Sequence, residues 1–77
     1  MRIEPFILDE IIDWFGKDFI ITENREDSLT LELQCNEEAM LYWALQYGQY
    51  AEVLKPESLR SKLKAASIHI YDKYNKQ

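Results

Sequence analysis

The sequence predicts a two-layer α+β domain in which a small sheet is wet on one face and covered by helices on the other. Three observations carry that expectation. Leu29, Leu31, Leu33 and Cys35 alternate with Thr30, Glu32 and Gln34, the period of a strand buried on one face only. Ile7, Leu8, Ile11, Ile12 and Phe15 recur at helical spacing ahead of that strand. After it, a second helical segment, a short β-like run and a proline-opened helix follow in turn.

Taken in order, Arg2-Ile3-Glu4 is the remnant of a short first strand. Pro5 suits a first helical turn, and Gly16 ends the helix it opens. Phe19 to Thr22 is β-branched and aromatic, Asn24 to Ser28 is turn chemistry, and the alternating run from Leu29 completes a hairpin. Asn36 is a good N-cap, and Glu37 and Glu38 suit the positive end of a helix dipole. Gly48 is expected to close that helix, about Glu37 to Tyr47, in a left-handed conformation. Its run from Ala39 to Leu45 is apolar nearly all round and needs a second cover besides the sheet. Ala51 to Leu54 is a short strand, and Pro56 opens a last helix with the stripe Leu59, Leu63, Ala66, Ile70 and Tyr74. The strand-helix-strand stretch 29–54 predicts parallel strands joined by a right-handed crossover. With the first strand counted, the order is the ferredoxin-like βαββαβ pattern plus a C-terminal helix, its first strand short or truncated.

At 77 residues the chain makes one small domain spanning 1–77, and its 47% hydrophobic content favours a compact core over disorder. Cys35 is the only cysteine, which rules out an intrachain disulfide and a cysteine-based zinc cage, so no cofactor or metal is expected. No apolar run approaches the roughly 20 residues of a membrane span, and the N-terminus lacks a signal-peptide layout. The cytoplasm is the expected compartment. Residues 1–54 hold 12 acids and 3 bases, a balance of −9, whereas residues 55–77 hold 2 acids and 6 bases, a balance of +4. Such an acidic body repels nucleic acid.

The stretch from Trp43 to Arg60 is the most specific part of the chain. Trp43, Leu45, Tyr47 and Gly48 are followed by Val53, Leu54, Pro56, Leu59 and Arg60. In that order and spacing, with Phe15-Gly16 and a hairpin before them, they resemble the C-terminal extension, or WCX domain, of WYL-domain proteins. The resemblance implies a ferredoxin-like accessory domain of a bacterial transcriptional regulator, set beside the WYL domain of its parent chain. It also implies a share in homodimerisation and in sensing an effector, with nucleic acid or nucleotide-like ligands in some family members. The first strand looks cut short against the family pattern, and no WYL domain or winged helix is present, so the chain is expected to be a piece of a longer regulator.

Each chemistry-bearing constellation has an ordinary reading beside it. Asp9, Glu10 and Asp13 share one side of the first helix and could bind a cation or act as paired carboxylates, but acids on an exposed face are ordinary solubility features. His69 has no second imidazole or partnering cysteine near it in sequence. Cys35 continues the Leu29–Leu33 face and is therefore expected to be buried and inert. Ser58, Ser61 and Ser67 lie in no nucleophile motif. No catalytic residue emerges, and a cysteine-dependent enzyme is the least favoured reading, behind a free-standing interaction domain. In the last helix Lys62, His69, Lys73 and Lys76 form one stripe, and Arg60 and Lys64 a second. Arg60 is placed to pair with either a carboxylate or a phosphate. Trp43 and Tyr47 are expected in the core, whereas Tyr42 and Tyr50 are free to meet a ligand or partner. The candidate contacts are thus Arg60, Lys64, Tyr42 and Tyr50. Trp43, Tyr47, Gly48, Val53, Pro56 and Leu59 serve as motif and core.

Overall fold

The computed structural model describes residues 1–76. Strand β1 (Arg2–Ile3) leads through a 3-10 turn (Pro5–Ile7) into helix α1 (Leu8–Phe15). Strands β2 (Phe19–Asn24) and β3 (Leu29–Leu33) form the hairpin, α2 (Glu37–Gln46) and β4 (Ala51–Glu52) follow, and α3 (Glu57–Asn75) ends the fold. The sheet order is β2-β3-β1-β4 with every neighbour antiparallel, so β3 and β4 run parallel to each other with β1 between them. This is the ferredoxin-like arrangement with an added C-terminal helix. The two-residue β1 is one of its two interior strands, beside β3.

Strand periodicity sorts the two faces. Ile3, Leu29 and Leu31 point to the helices and are buried, while Arg2 and Glu52 meet on the other face. Onto the buried face the 3-10 turn brings Ile7, α1 brings Ile11, α2 brings Met40, Trp43 and Ala44, and α3 brings Leu59 from its first turn. Side chains of this kind stabilise by about 1.5–3 kcal/mol each on burial. Asn36 caps α2 as expected, its side-chain oxygen accepting from the Ala39 N–H at 3.0 Å.

Three expectations are corrected. Gly48 does not adopt a positive φ; among the described residues only Gly16 does, at φ 83° and ψ −168°. Gly48 is instead pressed against backbone, since a Cβ there would sit 2.9 Å from the Ala44 carbonyl oxygen. Cys35 is exposed, because β3 ends at Leu33 and its alternation ends with it, leaving Cys35 in the connection to α2. The stripe of α3 is buried only at its start. Leu59 is in the core and Leu63 and Ala66 are half-buried, but Ile70 and Tyr74 are exposed, because the helix runs on past the edge of the domain.

Candidate partner-binding surface

Arg60 sits one turn into α3, where Pro56 has turned the chain from β4 into the helix. Its Nη1 donates to the Val53 carbonyl oxygen at 2.6 Å and lies 3.5 Å from Glu52 Oε2, and its Nε lies 3.9 Å from Glu57. Glu52 also faces Arg2 at 3.5 Å, so one carboxylate links two guanidiniums across β1, β4 and α3. In this structure the partners of Arg60 are carboxylates and a carbonyl. Lys64, one turn further on, is exposed.

The two tyrosines proposed for contact lie apart in the fold. Tyr42 is exposed on α2, its hydroxyl 3.5 Å from Glu38. Tyr50 stands edge-on to Phe6 with ring centroids 5.0 Å apart, and its carbonyl accepts from the Glu4 N–H. The structure therefore does not unite Arg60, Lys64, Tyr42 and Tyr50 into one site. The motif residues do form one unit: Trp43 is fully buried against Tyr47 and Phe15, Val53 and Leu59 join the core, and Pro56 precedes α3. The Tyr47 hydroxyl donates to Glu10 at 2.9 Å, and that bond raises the phenol above its ordinary pKa. Glu10 is thus engaged with the core edge, while Asp9 and Asp13 remain exposed.

Of the basic stripe, Lys62 is also engaged: its Nζ lies 2.6 Å from Glu37, which accepts from Ser58 as well. These donors hold the Glu37 carboxyl below its ordinary pKa. His69 and Lys73 are exposed. Although Cys35 is exposed, the protein atoms around its sulfur partly desolvate it and raise the thiol pKa, away from thiolate, and the concavity that Cys35 lines does not include His69. Among the described residues no group of three or more His, Cys, Asp and Glu could hold a metal, and no helix is long and apolar enough to cross a membrane.

Two surface features were not legible in the sequence. One is the exposed apolar end of α3, where Ile68, Ile70, Tyr71 and Tyr74 are all exposed. The other is a trench of about 720 Å³ beyond Met1, between the end of β3 (Leu31 to Cys35) and the chain leaving β4 (Val53 to Pro56), floored by Met40 and Leu59. The first arises because α3 outruns the sheet it packs on, a difference in length that hydrophobic pattern alone does not encode.

Comparison with curated proteins and with solved structures gives no match. The family model of the WCX domain matches residues 1–67, taking in every strand and the first half of α3. With the sheet order in place and the Trp43 to Arg60 motif folded as one unit around β4, the chain belongs to the WCX domain family.

Proposed function

We propose that the chain is the C-terminal accessory domain of a WYL-type bacterial transcriptional regulator, where it pairs protomers and contributes to effector sensing, without catalysing a reaction. Its neighbour in the parent protein is the WYL domain. The observation that carries the pairing role is the seam on α3. Leu59 and Leu63 pack on the core, and the same helical stripe continues through Ile70 and Tyr74 into solvent. A continuous apolar stripe left uncovered on a small domain marks an interaction surface.

Effector sensing rests on family membership and on charge. Lys64 and Lys73 offer cations on α3 to an anionic, nucleotide-like effector, whereas the −9 body disfavours direct binding of nucleic acid by this piece. Sedimentation equilibrium over a dilution series tests the pairing: the expected result is reversible self-association at high concentration. A strict monomer throughout removes the dimerising role.

A further inference from the structure

The half of α3 that leaves the core and the outer face of α1 carry matching ridges. Ile70 and Tyr74 form an exposed apolar ridge that continues the line of Leu63. His69, Lys73 and Lys76 run beside it at helical spacing as a basic ridge, all exposed. At the other end of the chain Ile7 and Ile11 face the core, so Phe6, Asp9, Glu10, Asp13 and Trp14, spaced i, i+3, i+4, i+7 and i+8, fall on the side of α1 turned away from it. Phe6 is 64% exposed and Trp14 47%, large aromatic surfaces for a small domain to leave in water. Phe6 is held edge-on by Tyr50 and is therefore preset for contact. Glu10 is engaged by Tyr47, but among the described residues Asp9, Asp13 and Lys73 have no ion-pair partner. Asp9 and Asp13 stand one turn apart and repel each other, a cost that a cation set between them relieves.

We propose that the projecting half of α3 docks on the α1 face of a second copy of this chain, the two copies exchanging helices about a two-fold axis. The inference rests on the pairing role proposed above and names the surface that α3 meets. Charge selects the occupant. Residues 1–54 carry a balance of −9 and residues 55–77 one of +4, so each copy holds both halves of the complement. With α3 laid along α1, the ridge of His69, Lys73 and Lys76 faces Asp9 and Asp13, and Ile70 and Tyr74 cover Phe6 and Trp14. The lengths agree: residues 67–75 span about 13 Å and the eight residues of α1 about 12 Å. Within its own chain α3 packs on α2 and then runs past the domain edge, so another molecule has to cover its far half. A reciprocal exchange makes two such contacts in one association, and the pair closes instead of growing into a filament.

The test is a charge exchange between two variants of the 77-residue chain, read by sedimentation equilibrium. Asp9→Lys with Asp13→Lys makes both faces basic, and Lys73→Glu with Lys76→Glu makes both acidic. Each variant alone should self-associate at least about tenfold more weakly than the unaltered chain, because like charges then stand opposite. Mixed in equal amounts, the two should pair to within about threefold of the unaltered chain, since each supplies the charge the other has lost. All four positions are exposed, and recovery in the mixture shows at the same time that both variants are folded. Phe6→Ser with Trp14→Ser reads the aromatic ridge without touching charge, and should also weaken association about tenfold. Undiminished self-association of the Asp9→Lys, Asp13→Lys variant or of the serine variant, or no recovery in the mixture, overturns the proposal. In a chain that still self-associates, any of these results places α3 on another surface and leaves the pairing role standing. A strict monomer of the unaltered chain removes the pairing role itself, and this inference with it.

Discussion

Arg60 donates its Nη1 to the Val53 carbonyl oxygen at 2.6 Å, tying the first turn of α3 to the chain leaving β4. The same guanidinium lies near Glu52 and Glu57, so the residue that looked equally suited to carboxylate or phosphate is engaged within the domain. Hydrogen bonds to charged groups contribute about 1.5–3 kcal/mol when well buried, and the half-exposed position of Arg60 reduces that to about 1 kcal/mol. Arg60→Met should lower Tm by roughly 4–8 °C in a domain of this size. Arg60→Lys should recover little of that loss, since an ammonium lacks the fork that reaches carbonyl and carboxylates together. Glu52→Gln should stay within about 0.5 kcal/mol, as its pairs are exposed. Thermal melts of the three variants check the ranking, and a fully stable Arg60→Met would refute the tie.

Glu37, Ser58 and Lys62 join the start of α2 to α3, with Lys62 Nζ 2.6 Å and Ser58 Oγ 2.8 Å from the carboxylate. The Lys62 bond is the larger cause of the lowered Glu37 pKa, and the Ser58 bond adds to it. A depressed carboxyl pKa stabilises the fold fully above the ordinary value of 4.5, and that contribution fades as pH falls through the lower folded value. Lys62→Met should return the Glu37 titration, followed by side-chain carbon NMR, toward 4.5. The variant's stability should then depend less steeply on pH in the acid range. An unchanged titration would show that the contact is not held in solution.

The two glycines are needed for opposite reasons. Gly16 occupies a backbone region that is essentially glycine-only, with open space where a Cβ would go, so Gly16→Ala should cost about 1–3 kcal/mol through conformation alone. Gly48 has an ordinary φ but touches the Ala44 carbonyl, so Gly48→Ala should destabilise by forcing the chain away from α2. Gly16→Asn tests the difference: asparagine tolerates positive φ only near ψ about +47°, so at ψ −168° it should do about as much harm as alanine. At 48 the larger side chain should do more. Urea melts of these variants would contradict the assignment if asparagine restored most of the stability that alanine loses at position 16.

What the sequence disclosed follows from which forces are local. Alternation in Leu29 to Leu33, the Asn36 cap and the Pro56 helix start act within a few residues, and each is where the pattern put it. Trp43 was legible as core because a small domain has few other places for large side chains, while Tyr47, expected there too, is only half-buried beside it. The misassigned positions depend on where elements stop relative to one another. Cys35 kept the alternation in sequence after β3 had ended, and Ile70 and Tyr74 kept the heptad-like stripe after α3 had left the core. The carboxylate partners of Arg60 are likewise set by neighbours outside its own stretch of helix. No spacing within one segment reports them.

The family match ends at residue 67, near the point where α3 leaves the core, so the helix divides into a half the fold needs and a half it does not. Among the described residues Leu59 is the last buried side chain, and Leu63 and Ala66 are half-buried at the domain edge. Ile70→Asp and Tyr74→Asp alter only exposed positions, so each should change stability by no more than about 0.5 kcal/mol. Truncation after Ser67 should leave the fold cooperative, because residues 57–67 still supply the helical turns that bury Leu59. If the exposed seam pairs protomers, the truncated chain and the double aspartate variant should both lose self-association by at least about tenfold, as the buried Ile70 and Tyr74 contacts are each worth more than 1.4 kcal/mol. Sedimentation of the three chains side by side checks this. Equal self-association in all three would place the dimer contact elsewhere, and loss of cooperative unfolding on truncation would mean that the second half of α3 supports the fold after all.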